Sequence, residues 1–335
     1  MSTPRVSLLV PVHNAGPYLE AALDSIASQT MHDFEVLCVD DGSTDGSGAL
    51  LVARADADSR FRILSPGRIG LVRALNLARS EARADYLARF DADDEMDPRR
   101  LDLQAGHLDR ERDTDIVSCL VRHFPEADVR EGNRIYEAWL NGLVRHEEIV
   151  RDIFVESPLA HPSVMMRAAA FDRLGGYREM GWPEDYDLWL RAYFLGMRFA
   201  KVPEVLLSWR DHGVRATRTD PRYSVQSFLR VKAAFLVKGP LAPKRPFVVW
   251  GAGMIGRRLT RLLIQAGRPP LALLDIDKKV IGRTRHGRPI LPPEALRRGS
   301  ALVLGAVGAR GARAAIRHRL REWDLEETVD FWMVA

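Results

Sequence analysis

The sequence predicts an α/β protein, with a mostly parallel sheet flanked by helices and a smaller α/β domain after it. Three observations support this prediction. Short apolar runs rich in β-branched residues alternate with segments of helical periodicity in the first part of the chain. Acidic clusters follow two of these runs, at the strand ends where parallel sheets bind ligands. Near residue 246 a new apolar run begins and leads into a glycine-rich turn.

The elements of the first domain follow from apolar spacing. A continuous apolar run predicts a buried strand over residues 6–12, and further strands are predicted over 34–39, 61–64 and 86–90. Apolar residues on one helical face predict helices over 18–28, 45–57 and 70–82, and a largely helical segment over 135–153. Because parallel strands end at a common edge, the acidic clusters at 40–41 and 91–94 are predicted to share that edge.

Composition bounds the class of protein. The 335 residues suffice for two domains, and 46% hydrophobic with 28% charged residues indicates a packed core. Cys38 and Cys119 lie in apolar, strand-like surroundings, which indicates buried thiols and a cytoplasmic protein. No apolar run reaches the length of a membrane span, and the N-terminus lacks a signal-peptide pattern. A peripheral position at the inner face of the membrane stays open.

The net charge of +4 conceals an asymmetry. Residues 1–240 carry 31 Lys and Arg against 37 Asp and Glu, whereas residues 241–335 carry 18 against 8, a balance of +10. The sign changes near the segment 238–244, which contains glycine and two prolines and is therefore the best linker candidate. We expect one domain over 1–240 and another over 245–335. No nucleic-acid partner is expected, and the oligomeric state stays open.

The segment 89–95 carries the candidate metal site. Asp91 and Asp93 are two residues apart at the end of a predicted strand, so their carboxylates can converge on one point. Two hard oxygen ligands suit Mg²⁺ or Mn²⁺, which leave coordination positions for a substrate diphosphate. Such a metal neutralises charge on a departing nucleoside diphosphate. Taken alone, the segment fits a solvated acidic turn before the next helix better.

Several short motifs occur in an order and spacing that are typical of one protein family. They are Val-Pro-Val-His-Asn at 10–14, Gln-Thr at 29–30, Val-Asp-Asp-Gly-Ser-Thr-Asp at 39–45, Phe-Asp-Ala-Asp-Asp at 90–94, Pro-Arg-Arg-Leu at 98–101, Gln104, His-Pro-Ser at 161–163, Gly-Gly-Tyr at 175–177 and Glu-Asp-Tyr-Asp-Leu-Trp-Leu-Arg at 184–191. Over residues 5–215 the chain resembles the family-2 glycosyltransferases of the GT-A fold. The resemblance implies a nucleotide-sugar donor, with a UDP-sugar expected, a divalent metal, and inversion at the anomeric carbon.

The resemblance also assigns a nucleoside pocket by position. Asp41 would meet the base, and Asp91 would hold the ribose or a metal-bound water. Asp40 is expected to support its own turn. His13 stands where the family usually has an aromatic residue. The residues carried over to the pocket are Pro11, Val12, Asn14, Asp41 and Asp91.

Three further residues receive catalytic or metal roles from the resemblance. Asp93 would ligate the metal and the diphosphate. Asp185 would be the general base that takes the proton of the acceptor hydroxyl, as a single in-line displacement requires. His212, in the segment Trp-Arg-Asp-His-Gly at 209–213, is a second candidate metal ligand. A lone histidine is as often structural.

The C-terminal part carries a second motif. A predicted strand over 247–250 leads into Gly-Ala-Gly-Met-Ile-Gly at 251–256, a helix, a strand over 271–274 and Asp275. This order is typical of the dinucleotide-binding fingerprint. It predicts a second nucleotide site, with an NAD-like ligand, at Gly251, Gly253, Gly256 and Asp275. The region also resembles the small Rossmann domain of bacterial sugar acyltransferases and some nucleotide-sugar dehydratases. A module used only for packing or dimerisation fits equally well.

Three functions compete. The leading one is an inverting sugar transferase with a glycan or lipid-linked acceptor, which the resemblance associates with bacterial surface polysaccharides. A nucleotidyltransferase would need a glycine-rich, basic loop after the first strand, and residues 12–17 lack one. A nucleotide- or redox-sensing protein built on the C-terminal domain would have an inactive first domain. The intact Asp91, Asp93 and Asp185 argue against that alternative.

Overall fold

The chain divides into two units that each draw on several segments. The computed structural model describes residues 3–213, 215–242, 244–296 and 299–335. The first unit comprises the residues up to Ile149 together with Pro158–Glu179 and Asp187–Arg215. The second comprises Val150–Ser157, Met180–Tyr186 and Ala216–Ala335.

This division differs from the predicted boundary at 240–245. Residues from 216 onward belong to the second unit. The helix Val225–Lys238 lies in this region, and its Lys232 donates to the carbonyl oxygens of Val155 at 2.7 Å and Val334 at 3.2 Å, which are both in the second unit. The predicted linker 238–244 includes Pro243, which lies outside the described residues. Independent folding of residues 245–335 stays a prediction.

The first unit contains an eight-stranded sheet. Its strands are β1 (Val6–Val12), β2 (Phe34–Asp40), β3 (Phe61–Leu64), β4 (Tyr86–Arg89), β5 (Glu95–Met96), β6 (Thr114–Phe124), β7 (Met165–Arg167) and β8 (Arg198–Arg210). Their order in the sheet is β3-β2-β1-β4-β7-β6-β8-β5. Strands β3, β2, β1 and β4 are parallel, β7 runs antiparallel to its neighbours, and β6 and β8 are parallel. The predicted mostly parallel sheet is therefore confirmed.

Helices cover both faces of this sheet. The helices up to residue 194 are α1 (Gly16–Ala27), α2 (Ser47–Ala57), α3 (Leu71–Glu81), α4 (Arg100–Arg110), α5 (Glu131–Asn141), α6 (His146–Arg151), α7 (Ala168–Leu174) and α8 (Glu184–Phe194). On one face Leu19 of α1 shares a core cluster with Leu8 and Val10 of β1. On the other face Ala74 of α3 shares a core cluster with Leu9. The side chains of β1 thus alternate between the two faces, as the pleat of a strand requires.

The segment 135–153, predicted to be largely helical, is mostly helical but is not a single helix. The helical pattern over 135–153 is two helices, α5 and α6, because the chain turns between them at Gly142. The Glu148 carboxylate accepts hydrogen bonds from the backbone N–H groups of Val144 and Arg145, both at 2.9 Å. These bonds cap the start of α6 and separate it from α5.

The second unit contains a six-stranded sheet. The elements from residue 216 onward are α9 (Ala216–Thr219), α10 (Val225–Lys238), β9 (Phe247–Trp250), α11 (Met254–Gln265), β10 (Leu273–Leu274), β11 (Thr284–Arg285), β12 (Arg288–Leu291), β13 (Leu302–Gly305), α12 (Ala312–Glu322) and β14 (Phe331–Met333). The strand order is β11-β12-β10-β9-β13-β14. Strands β12, β10, β9, β13 and β14 are parallel, and β11 pairs antiparallel with β12. No helix in the described residues combines the length and apolar character that crossing a membrane requires.

The arginines of α12 form ion pairs within the second unit. Arg317, with a side chain 14% exposed, pairs with Asp152 and with Glu327 at 2.8 Å. Arg319 Nη2 lies 2.5 Å from a carboxylate oxygen of Glu294, and Arg321 Nη2 lies 3.4 Å from one of Glu327. Glu294 and Glu327 are already counted in the balance of +10, whereas Asp152 is an additional negative charge from outside residues 241–335.

Candidate functional site

Three loops meet at one edge of the first sheet. Strands β1, β2 and β4 are adjacent and parallel, so the loops that follow them leave on the same side. The backbone N–H of Asp41 donates to the carbonyl oxygen of Val12 at 2.8 Å, and that of Phe90 donates to Leu9 at 3.1 Å. The predicted common edge for the two acidic clusters is confirmed.

Asn14 and its neighbours join the first two loops. The Asn14 side-chain oxygen accepts a hydrogen bond from the backbone N–H of Thr44 at 2.8 Å. Its own backbone N–H donates to the Ser43 hydroxyl at 3.1 Å. Asn14 has φ 51°, a left-handed conformation that asparagine tolerates better than most residues. Asp40 supports the turn as predicted, because its carboxylate accepts from the Ser43 N–H at 2.9 Å.

Asp41 is buried, and its carboxylate is hydrogen-bonded to the backbone of residues 69–70. Its carboxylate accepts from the backbone N–H groups of Ile69 at 2.5 Å and Gly70 at 2.8 Å, and it pairs with Arg68. Val12 is fully buried in the core, whereas Pro11 is half-buried. The hydrogen bonds seen here position the loops. The nucleoside roles stay predictions for Pro11, Val12, Asn14, Asp41 and Asp91.

The acidic loop after β4 brings three carboxylates together. Asp91, Asp93 and Asp94 each offer an oxygen, and these oxygens lie within 4.8 Å of one another. Asp94 was not among the predicted ligands. It is 1% exposed, and its Oδ1 accepts from the backbone N–H of Arg210 at 2.8 Å. Its buried Oδ2 accepts no hydrogen bond from any residue that the structure describes.

Positive side chains border this cluster. Asp91 pairs with Arg89, and Asp93 Oδ2 lies 2.7 Å from the Nε2 atom of His212. Arg210 donates through Nε to the carbonyl oxygen of Asp93 at 2.7 Å. Arg210 is the last residue of the long strand β8, so its hydrogen bonds connect the end of β8 to the acidic loop.

Burial and mutual repulsion set the protonation of the three carboxyl groups. Burial raises the pKa of Asp91, although the Arg89 charge opposes this. Burial also raises the pKa of Asp94 well above its usual range, and the charges of Asp93 and Asp91 add to the effect. For Asp93, burial is outweighed by the His212 hydrogen bond and the Arg215 charge, so its pKa is lowered.

The donor set fits a divalent cation. Three carboxylates converge, and the buried Oδ2 of Asp94 has no hydrogen-bond partner among the described residues. Hard oxygen donors of this kind are what Mg²⁺ and Mn²⁺ prefer. His212 contacts Asp93 and Tyr18, with ring centroids 4.9 Å apart in the latter case, and its role as a ligand stays a prediction.

Asp185 lies at the start of α8, in the part of that helix that belongs to the second unit. Its Oδ2 accepts a hydrogen bond from the Ser157 hydroxyl at 3.4 Å, and Oδ1 is buried with no hydrogen-bond partner among the described residues. Burial raises its pKa to about 7, and the neighbouring Glu184 charge acts in the same direction. The Tyr223 hydroxyl lies 2.9 Å from both carboxylate oxygens of Glu184. A carboxylate with a pKa near 7 is suited to general base catalysis.

The glycine turn of the second unit requires glycine at two of its three positions, Gly251 and Gly256. A Cβ on Gly256 would lie 1.8 Å from the carbonyl oxygen of Gly251, and Gly251 itself has φ 128°. Around Gly253 a Cβ would meet nothing within 4 Å. Asp275 accepts from the backbone N–H groups of Ala252 at 2.8 Å and Asp277 at 3.0 Å, so it stabilises the turn.

Three residues at these sites were not predicted from the sequence: Asp94, Arg210 and Ser157. Asp94 is adjacent to Asp93, and its place in an acidic run was a usable signal. Arg210 and Ser157 lie far along the chain from their partners, and no local pattern marks them.

Residues 7–175 match the model of the family described as glycosyl transferase family 2. This chain belongs to glycosyltransferase family 2. EpsE of Bacillus subtilis (strain 168) is named as a glycosyltransferase. It is 31% identical to this chain over 249 residues, covering 72% of this chain and 86% of EpsE. The O-antigen biosynthesis glycosyltransferase WbnJ of Escherichia coli is 27% identical over 240 residues, covering 67% of this chain and 89% of WbnJ.

Two solved structures share the fold of this family-2 enzyme. TarS residues 1–349 from S. aureus, in complex with UDP-GlcNAc, matches with a TM-score of 0.57 and 18% identity, over 77% of this chain and 71% of that fragment. The mannosyltransferase PcManGT from Pyrobaculum calidifontis, in complex with GDP-Man and Mn²⁺, matches with a TM-score of 0.51 and 20% identity, over 79% and 70%. The predicted transferase class is confirmed.

Proposed function

We propose that this family-2 glycosyltransferase moves a sugar, with inversion, from a nucleoside diphosphate donor to an acceptor hydroxyl. The convergence of Asp91, Asp93 and Asp94 at the edge of the parallel sheet carries the proposal. A UDP-sugar is the expected donor, which the complex of TarS with UDP-GlcNAc supports. The GDP-Man complex of PcManGT makes GDP-sugars the first alternative to test.

The acidic cluster would hold a divalent cation. Asp93 is the proposed ligand and His212 a second candidate, whereas Asp91 would hold the ribose or a metal-bound water. Asp94 extends the acidic set, and the Mn²⁺ in PcManGT supports a divalent cation. When bound, Mg²⁺ or Mn²⁺ supplies charge neutralisation for the departing diphosphate. The chain's own residues prepare this position: Arg210 bonds Asp94 through its backbone and Asp93 through its side chain, and so holds the loop in place.

Asp185 would act as the general base. The acceptor oxygen forms a bond to the anomeric carbon, the bond from that carbon to the diphosphate oxygen breaks, and the acceptor proton passes to the Asp185 carboxylate. The nucleoside diphosphate leaves with the electron pair of the broken bond. The buried position and the raised pKa of Asp185 support this role, because the carboxylate is basic enough near pH 7.

The acceptor class is part of the proposal. We propose a glycan or lipid-linked acceptor in bacterial surface polysaccharide synthesis, which the O-antigen role in the name of WbnJ supports. Such an acceptor would place the enzyme in the cytoplasm at the inner face of the membrane. The balance of +10 over residues 241–335 favours an anionic surface. Flotation with vesicles containing anionic lipid, against neutral vesicles, tests this placement.

For residues 245–335 we propose a Rossmann-like nucleotide-binding domain, similar to that of bacterial sugar acyltransferases. The parallel strand order β12-β10-β9-β13-β14 and the turn at Gly251, Gly253 and Gly256 support it. An NAD-like nucleotide would lie against this turn, near Asp275. Calorimetry on the full chain with NAD, NADP, coenzyme A and UDP-sugars tests it, with Gly253→Val as the blocked variant. If none of them binds, the turn serves packing alone.

The transferase proposal is tested by product release. The protein is incubated with UDP- and GDP-sugars and Mn²⁺ or Mg²⁺, and the released nucleoside diphosphate is measured with and without chelator. We expect release from one donor class that requires the metal and increases with acceptor. Metal-independent release from every donor, or none at all with a panel of glycan and lipid-linked acceptors, would contradict the proposal.

A further inference from the structure

We propose that Arg317, on the C-terminal helix α12, is a positioning residue for Asp185. It acts through residues 150–157, here called the bracing segment. The inference rests on the proposed function, since it takes Asp185 as the base. It assigns the C-terminal part of the chain a role in sugar transfer that needs no ligand at the glycine turn.

The first contact holds the start of the bracing segment. Arg317 forms an ion pair with Asp152, which is 1% exposed, and also contacts Glu327 at 2.8 Å. Arg151 and Arg313 lie 3.0 Å and 4.0 Å from the same Asp152 carboxylate. Arg313 and Arg317 stand one turn apart on α12, so their contacts with Asp152 tie the start of the segment to that helix.

The second contact holds its middle. The buried Lys232 of α10 donates to the carbonyl oxygens of Val155 at 2.7 Å and Val334 at 3.2 Å, which ties the segment to the residue after β14. The Phe154 ring stands edge-on to Trp332, with centroids 5.4 Å apart and planes at 87°. The segment is therefore held by the C-terminal residues along its length.

The end of the segment reaches the base. Ser157 donates to Asp185 Oδ2 at 3.4 Å, and the Tyr186 hydroxyl donates to the carbonyl oxygen of Ile153 at 2.7 Å. At 3.4 Å the Ser157 bond is long, so a small shift of the segment strengthens or breaks it. A path of direct contacts thus runs from α12 through the segment to the carboxylate.

Other charged groups face Asp185 and affect its titration. Glu184 precedes it on α8, and Glu156 approaches from the bracing segment; both charges raise its pKa, in addition to the larger effect of burial. Tyr223 interacts with Asp185 as well as with Glu184. Ser157 opposes the two glutamates, because its hydrogen bond favours the charged carboxylate.

The experiment is a double-mutant cycle on turnover. Ser157→Ala removes the final hydrogen bond, and Arg317→Met removes the anchor while keeping the length of the side chain. We expect each to lower kcat by about 2- to 12-fold, which corresponds to the net free energy of one typical hydrogen bond, with KM for the donor unchanged. If Arg317 acts through Ser157, the double variant is no slower than the slower single variant.

Arg319→Met is the matched control. It removes an arginine from the same helix, but its ion pair with Glu294 lies outside the path, so kcat should stay within about twofold of the parent. Arg317→Lys keeps the charge and should recover most of the activity. If Arg317→Met does not fold, Asp152→Asn, which breaks the same pair from the other side, takes its place. Thermal unfolding and affinity for UDP establish that each variant is intact.

The outcomes separate this inference from the proposed function. Normal transfer by Asp185→Asn would reject Asp185 as the base and the positioning role with it. Loss of transfer in Asp185→Asn, with Arg317→Met equal to Arg319→Met, would reject the positioning role alone. Effects of Ser157→Ala and Arg317→Met that multiply in the double variant would likewise show that Arg317 acts by another route.

Discussion

His212 Nε2 lies 2.7 Å from Asp93 Oδ2, so two residues predicted as separate metal ligands are bonded to each other. Burial raises the pKa of Asp93, but the His212 hydrogen bond and the Arg215 charge outweigh it, so the pKa is lowered. The lowered pKa favours the ionised form of Asp93, which is the form in which a carboxylate binds a cation. At Asp94, by contrast, burial and the acidic neighbours both raise the pKa.

The first prediction concerns Asp93. Asp93→Asn removes a charged oxygen ligand but keeps the size of the side chain, so Mn²⁺-dependent binding of UDP should be lost. The measurement is the rise in melting temperature with UDP and Mn²⁺; a ligand at 100 times its Kd stabilises by about 2.7 kcal/mol. Asp172→Asn, at an exposed ion pair elsewhere in the first unit, is the control. An unchanged Mn²⁺-dependent rise in Asp93→Asn would reject the assignment.

The second prediction concerns Asp94. Its Oδ1 can still accept from the Arg210 N–H after Asp94→Asn, because the amide oxygen can take that place. The loop should therefore keep its conformation while the oxygen at Oδ2 is replaced by an amide nitrogen, which does not ligate Mn²⁺. We expect weaker Mn²⁺ binding, measured by calorimetry with UDP present. Binding equal to that of the parent protein would make Asp94 a purely structural residue.

The third prediction concerns the base. Asp185→Asn keeps the shape of the side chain and removes its basicity, so turnover should fall roughly 10²- to 10⁴-fold. Affinity for the donor should change little, which is checked by calorimetry with the nucleoside diphosphate. Transfer to the true acceptor is the required assay, because hydrolysis by water need not use the same base.

The fourth prediction follows from the raised pKa of Asp185. A base works only when deprotonated, so kcat should fall as the pH drops below about 7. Ser157→Ala removes a hydrogen bond that favours the carboxylate, so the acid limb of the profile should move to higher pH. A shift to lower pH, or none, would show that this bond does not act on the titrating group.

The raised pKa of Asp185 should also make the stability of the folded protein depend on pH. Stability should fall with rising pH, whereas kcat should rise with it. The folded protein keeps the Asp185 proton up to about pH 7, whereas the unfolded chain releases it near the ordinary aspartate pKa of 3.8. Between these values the folded state binds more protons, so stability declines as the pH rises. Asp185→Asn should therefore gain melting temperature relative to the parent at about pH 8 and not at about pH 4. Equal differences at both pH values would contradict the raised pKa.

The last prediction compares two glycines of one turn. Gly256→Ala would place a Cβ 1.8 Å from the Gly251 carbonyl oxygen, so the backbone must move. We expect a loss of about 1–3 kcal/mol, as for other overpacked sites, measured by denaturant unfolding. Gly253→Ala meets no atom within 4 Å and should be tolerated. Equal stability of the two variants would mean that the turn adopts another conformation.

Much of the first unit could be predicted because its signals are local. Apolar runs of strand length located β1, β2, β3 and β4 to within one residue of their ends. Parallel strands alternating with helices carry their loops to one edge, so the proximity of the two acidic clusters followed from the pattern alone. The same logic located β9 and the glycine turn, where a strand, three glycines and a helix follow one another directly.

The surroundings of the candidate residues were decided by tertiary structure. Ser157 and Asp185 are 28 positions apart, Asp94 and Arg210 are 116 apart, and Arg317 and Asp152 are 165 apart. No periodicity spans such separations, because hydrophobic patterning reports only which face of an element is buried and not which neighbour covers it. The sequence by itself determined which carboxylates stand at strand and helix ends. Only folding determined their partners, and those partners set their charge through burial and hydrogen bonding.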